Sequence, residues 1–280
     1  MKNDSLIRLT MFDDIDFKEL AWDGWYREAF NKNNFSFWFP KITNKNMKFN
    51  FPKSEIIQFT KNEQELIMNF YEHKEPKQKV IDMISFKLSF LEMEPNKKMF
   101  MKNGTYSNKF NFETCVFNSS DPIETIVDKF LEINYDSFLK SAGGSTELII
   151  RAFIENGKHD CIYNGMELNP EFRLFYSFDS HEILGVFNYW DVDFMLESGY
   201  FEYEEDMDTL KNNKDRINLE FANNKDKLIE HFNESLYKKT SLTGEWSIDF
   251  MLIGETFYLI DMAIAQNSAY YTKLKGKENE

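Results

Sequence analysis

Two aspartates near the C-terminal end interrupt otherwise apolar runs, Asp249 within WSIDFMLI and Asp261 within FYLIDMAI. The runs flank Gly254 and Glu255, a two-residue connection that suits antiparallel strands, so both carboxylates fall on one hairpin. Removing a carboxylate from water costs several kcal/mol unless it is paired, and two on neighbouring strands repel each other. A divalent cation between them, completed by nucleotide phosphates, would turn that repulsion into a site; the other reading puts each aspartate on the solvent face of an alternating strand. Lys102 closes the run KKMFMK ahead of the polar loop NGTYSNKFN, where an ammonium either reaches a phosphate as a point charge or is simply solvated. Arg151 in LIIRAFI and Arg173 in NPEFRLFY stand on apolar strand-like runs, which suits anion binding or a buried ion pair. Glu171, two residues before Arg173 and on the same strand face, is the sequence's candidate partner for it.

Other chemistries are absent. His73, His159, His181 and His231 are scattered, and Cys115 and Cys161 lie far apart, so no zinc spacing is legible. The glycine pair at 143–144 is not followed by a P-loop lysine, and neither G-x-G-x-x-G nor G-x-S-x-G occurs. With 33 basic against 47 acidic residues the net charge is −14, which disfavours nucleic acid and anionic membranes as partners. The opening MKNDSLIRLT lacks the apolar core of a signal peptide, and the best apolar stretch, near Phe257, is broken by Asp261. The expectation is a cytoplasmic protein with no membrane span.

The elements that must position these residues follow from periodicity. The first sixty residues, rich in aromatics and carrying Pro40 and Pro52, read as loop and short strand. Thr60 and Glu63 form a capping box ahead of Leu66, Ile67 and Phe70, and a second helical pattern runs from Val80 through Leu91, so two helices are expected before the first clear strand. KKMFMK and FETCVF read as two strands. Asp121 as cap and Pro122 in the first turn then open a helix through Ile126, Val127, Phe130 and Leu131. ELIIRAFI, EFRLFYSF and EILGVFNYW read as strands of one antiparallel sheet. An acidic and amide-rich stretch from Glu202 to Lys227 leads into a helix carrying Leu228, Ile229 and Phe232, before the closing hairpin. At 280 residues, 42% of them hydrophobic, the chain suits one large domain or two packed subdomains.

Taken in order, the strand lysine, LIIRAFI, PEFRLFY and the hairpin with one aspartate per strand resemble the ATP-grasp superfamily, and within it the cell division cycle protein 123 (D123) family. FSFWFPKITNKNMKFNFPKSEIIQF, MFMKNGTYS, ILGVFNYW and WSIDFMLIGETFYLID carry the resemblance. It implies an α+β, ATP-grasp fold with ATP and Mg²⁺ gripped between two α+β subdomains. The expected division is an N-terminal part at 1–95, a central subdomain at 96–150, a C-terminal subdomain at 151–272 and a tail at 273–280. By the same resemblance Lys102 and Arg173 face the phosphates as the catalytic cations, Arg151, Ala152 and Phe153 form the hinge beside the adenine, and Asp249 and Asp261 ligate magnesium. Two departures stand out: Ala263 occupies the position of an expected asparagine ligand, and the loop after Lys102 lacks the family's Pro-basic-Asp-Ala segment, leaving Lys109 as the candidate basic residue.

The resemblance implies an ATP-dependent carboxylate–amine or carboxylate–thiol ligase acting through an acyl-phosphate. The alternative it carries is a non-catalytic, ATP-binding assembly chaperone for a partner like translation initiation factor 2 gamma.

Overall fold

The computed structural model describes residue 27 and residues 29–43, 47–140, 145–199, 201, 203–235 and 240–276. The glycine pair at 143–144 and the aromatics Trp22, Trp25 and Tyr26 lie outside them. A short helix α1 (Phe35–Ile42) opens the described chain, followed by β1 (Ser54–Gln58), α2 (Lys61–Tyr71), α3 (Lys77–Leu88), β2 (Lys98–Asn103), a one-turn α4 (Phe112–Cys115), β3 (Val116–Asn118), α5 (Ile123–Leu139) and β4 (Glu147–Ala152). After a small hairpin, β5 (Cys161–Ile162) and β6 (Met166–Glu167), come β7 (Glu171–Ser177), β8 (Glu182–Asn188), α6 (Val192–Ser198), α7 (Glu204–Asn212), α8 (Lys214–Ser235), β9 (Glu245–Ile253), β10 (Thr256–Ile264) and α9 (Tyr271–Gly276).

The strands form two antiparallel four-stranded sheets, ordered β1-β4-β2-β3 and β10-β9-β7-β8. The three strand-like runs read as one sheet are therefore divided: β4 belongs to the first, β7 and β8 to the second. In the first sheet, Ile57, Met101, Phe117, Leu148 and Ile150 pack against α2, α3 and α5 through Ile67, Ile84, Val127 and Phe130. In the second, Phe172, Leu174, Tyr176, Ile248 and Phe250 pack against α1 and α8 through Trp38, Leu228 and Phe232. β7 is buried along its whole length, so its other row (Glu171, Arg173, Phe175, Ser177) is covered as well.

Local chemistry accounts for the elements and for where expectation fails. The capping box at α2 is complete, with Glu63 N donating to Thr60 Oγ1 (3.4 Å) and Thr60 N to the Glu63 carboxylate (2.7 Å). β1 precedes α2 and α3, against the expected order; it is a five-residue edge strand in which adjacent Ile56 and Ile57 hide the alternation. α1 replaces the expected loop despite Pro40, because Phe35 and Trp38 are fully buried and the Glu147 carboxylate accepts from Ser36 N at 3.1 Å. FETC is a helical turn rather than the start of a strand. Pro122 itself is the N-cap of α5, while the Asp121 carboxylate accepts from Asn118 N (2.8 Å) and closes the turn after β3. The acidic stretch is itself helical, as α7 and most of α8. The closing hairpin forms about Gly254, whose φ of 60° suits glycine in a two-residue turn. Among the described residues, no helix is long and apolar enough to cross a membrane.

Candidate functional site: a cleft between the two sheets

A β-bulge sets the geometry of the closing hairpin. Counting back from the turn, a straight ladder would place Ile260 opposite Asp249; the register instead shifts between Leu259 and Asp261, so that the two aspartates stand directly opposite each other. The shift also changes which residues face the core: Phe257 and Leu259 before it, Met262 and Ile264 after it. Asp249 and Asp261 thus share the face of the second sheet that looks across to the first.

On the first sheet, Arg151 of β4 is directly opposite Phe100 of β2, and Lys102 follows two residues later, so all three project from one face. Between the two faces lies a cleft of about 210 Å³. Lys102, Arg151, Ala152, Phe153, Arg173, Asp249 and Asp261 all line it. Every site residue singled out in the sequence is therefore brought to one place, by five strands and the loop that follows β4.

The pairing inside the cleft is specific. Arg173 donates through Nε and Nη2 to the two oxygens of Asp249 (2.8 and 2.7 Å), a bidentate bond between strands directly in register. Arg173 is thus bound to Asp249, the residue facing it across the ladder, and not to Glu171 beside it. Lys102, almost wholly buried, donates to Asp261 Oδ2 at 2.7 Å. Burial pulls the Lys102 ammonium below its usual range, with Asp261 opposing. Burial acts likewise on Arg173, but Asp249 outweighs it and holds the guanidinium above its ordinary value. Arg151 donates Nη1 to the carbonyl of Ile260, the residue released from the ladder by the bulge, and its guanidinium lies over the Phe35 ring at 4.5 Å. Burial draws Arg151 down to about 10, against the charge of Asp261.

Further lining residues escaped the sequence. Lys109 was visible only as a basic residue in the loop after β2. It enters the cleft because Asn108 takes a left-handed conformation (φ 44°) and is fastened underneath, its amide donating to Asp136 (3.0 Å) and Thr114 (3.1 Å). The Lys109 ammonium sits 3.5 Å from the Tyr189 ring centroid, and Arg173 lies over the same ring at 4.7 Å. Glu171, named only as a partner for Arg173, is buried in the cleft wall beside it. Burial pushes Glu171 up to about 7 and pulls Lys109 down to about 8, each against the attraction of the other. Glu167 lines the rim and accepts from the backbone N–H groups of Asn156, Gly157, Lys158 and His159 at 2.7–3.3 Å, fastening the loop that leaves Phe153. Nothing in the periodicity marks Tyr189 or Glu167, because their roles depend on contacts between separate segments.

The fit to magnesium rests on donors. Asp249 and Asp261 face each other, yet each already accepts from a buried cation, and Ala263 offers no side-chain ligand. Among the described residues, no group of three or more acidic, histidine or cysteine side chains converges to hold a metal ion. Magnesium usually takes no more than two carboxylates from a protein when phosphates complete its shell, but Asp249 and Asp261 would have to release Arg173 and Lys102 to serve.

No family model and no curated protein matches the sequence. Among solved structures, the chain resembles Cdc123 from Schizosaccharomyces pombe, with a TM-score of 0.52 and 15% identity over 88% of this chain and 90% of that one. The C-terminally truncated form of the same protein gives a TM-score of 0.51, also at 15% identity, over 86% and 89%. A more distant likeness, TM-score 0.34 and 12% identity over 82% and 57%, is to a RimK domain protein ATP-grasp from Sphaerobacter thermophilus. The chain has the fold of Cdc123, which bears out the α+β class and the D123 likeness read from its motifs.

Proposed function

We propose that the cleft between the two sheets binds ATP, and that the bound nucleotide serves assembly of a protein partner rather than ligation. The observation that carries ATP binding is the convergence of Lys102, Arg151, Ala152, Phe153, Arg173, Asp249 and Asp261 on one cleft. Phe100, Phe112 and Phe153 give it an apolar wall at the end of β4, which suits a purine, while the basic side chains gather further in, which suits phosphates. The D123 resemblance adds the kind of partner, one like translation initiation factor 2 gamma, and the acidic net charge suits a basic contact surface.

A carboxylate–amine or carboxylate–thiol ligase is the second reading, and the seven converging residues favour it equally. Its phosphoryl transfer needs positive charge free to follow the developing charge on the transferring group. Here Lys102 and Arg173 are engaged by Asp261 and Asp249, which supports the assembly reading.

Calorimetric titration of the wild type with ATP, with and without magnesium, and of Lys102→Ala and Asp261→Asn, tests the first step. Micromolar or tighter binding that Lys102→Ala weakens at least tenfold is expected; a folded wild type that binds no ATP in either buffer would refute the reading. ADP release across a panel of carboxylates with amines and thiols then separates the two roles, sustained turnover with any pair establishing the ligase.

A further inference from the structure

The two cleft arginines present the same hydrogen-bonding edge in opposite states. Nε and Nη2 lie on one side of a guanidinium and form a planar fork matched to two oxygens of one anionic group. Arg173 uses that edge on the Asp249 carboxylate. Arg151 has the same two nitrogens without any hydrogen-bond partner among the described residues, although only 5% of the residue is exposed. The rest of the guanidinium is engaged, Nη1 by the Ile260 carbonyl and one face by the Phe35 ring. It is therefore held in a fixed orientation with its fork unpaired and covered from solvent, on a residue that lines the cleft.

An unmade hydrogen bond at a buried donor is destabilising, and more so when the group is charged. A fold that already pairs Arg173 and Lys102 with carboxylates, and leaves this fork open beside them, stores that cost for a ligand to relieve. We propose that the free Nε/Nη2 edge of Arg151 is a bidentate seat for a two-oxygen anionic group of the ligand, a phosphate or a carboxylate. The proposal rests on the cleft being the ligand site and gives Arg151 a role its expected place beside the adenine does not supply. The neighbouring Lys102 adds positive charge on the same sheet face, since Phe100, its neighbour two residues earlier, is directly opposite Arg151.

The test compares the wild type, Arg151→Lys and Arg151→Met by calorimetric titration with ATP, adenosine, tripolyphosphate and succinate, in magnesium and in EDTA. Lysine keeps the charge and loses the fork. A roughly 10- to 100-fold loss of affinity for ATP and tripolyphosphate in both variants, with adenosine unchanged, identifies a phosphate as the occupant. A loss confined to succinate identifies a carboxylate. Unchanged affinities for all anions in both variants would overturn the proposal, as would a wild type that binds none of them. A wild type that binds tripolyphosphate through Arg151 but not ATP would keep the seat and refute the nucleotide reading. Thermal unfolding guards against misfolded variants: tripolyphosphate or succinate must raise the wild-type midpoint, and must not raise that of Arg151→Met.

Discussion

Replacing each cleft arginine by methionine should have unequal consequences for stability. Arg173→Met leaves the Asp249 carboxylate, with 8% of the residue exposed, without the two charged bonds at 2.8 and 2.7 Å that compensate it. Breaking a buried pair from one side costs about 3–5 kcal/mol, because the surviving charge stays buried. Arg151→Met gives up the bond to the Ile260 carbonyl, worth about 1.5–3 kcal/mol as a charged bond, and part of the stacking on Phe35. It also removes two buried donor nitrogens without partners, each costing about 1–3 kcal/mol. Losses and gains are of similar size, so Arg151→Met should cost well under the loss expected for Arg173→Met. Urea unfolding followed by tryptophan fluorescence and far-ultraviolet circular dichroism measures both, with coincident transitions as the condition for comparing free energies. The double variant Arg173→Met/Asp249→Leu should recover most of the loss, since no lone charge remains. If Arg151→Met costs as much as Arg173→Met, the Arg151 fork is satisfied in the folded protein and the asymmetry between the two arginines is refuted.

The Glu171–Lys109 pair should shape the pH profile of stability. Between the ordinary carboxylate value of 4.5 and about 7 the folded state keeps a proton on Glu171 that the unfolded chain releases, so stability falls as pH rises. Between about 8 and the ordinary lysine value of 10.5 the folded state has released a proton that the unfolded chain keeps, so stability rises. This pair therefore contributes a minimum between about pH 7 and 8, and Glu171→Gln/Lys109→Met should flatten it in unfolding midpoints measured from pH 5 to 10; an unchanged profile would show that neither group titrates as described. Gly104→Ala places a methyl on Glu147 Oε1 and Asn34 Oδ1, both held beneath the start of α1, and should lower stability by about 1–3 kcal/mol in the same urea assay. A variant as stable as the wild type would show that the polar floor under α1 is loosely packed.

What the sequence made legible were features carried by a few adjacent residues. The capping box at Thr60 and the Gly254 turn depend on side chains no more than a few positions apart, and both form as expected. The longer strands are legible as apolar runs, but their allocation to two sheets is not, because ELIIRA and EFRLFYS have the same character and differ only in distant partners. α1 was hidden for a related reason. Its Pro40 and aromatic run argue against a helix locally, and what holds it is Glu147, 111 residues further along. The cleft residues were legible as charges on apolar strands, whereas their pairing was not. The bulge that brings Asp261 opposite Asp249 leaves no mark in FYLIDMAI, and the partner of Arg173 is set by register across the sheet.

That register has an energetic consequence for any anion entering the cleft. To take a phosphate or carboxylate directly on Arg173 or Lys102, the newcomer must compete with Asp249 or Asp261, and the displaced carboxylate must find another donor while still largely enclosed. Such an exchange gains less than a new bond, since one charged bond replaces another, although Lys102 and Arg173 still offset the carboxylate charge that would repel the newcomer. The fork of Arg151 involves no exchange: its two donor nitrogens are desolvated and unpaired, so a bond formed there would not be offset by one broken. The bulge at Ile260 links the two features, because the residue it releases from the ladder supplies the carbonyl that holds Arg151, and its extra position sets Asp261 opposite Asp249. One inserted residue on β10 thus fixes the carboxylates that occupy Lys102 and Arg173 and the carbonyl that leaves Arg151 open.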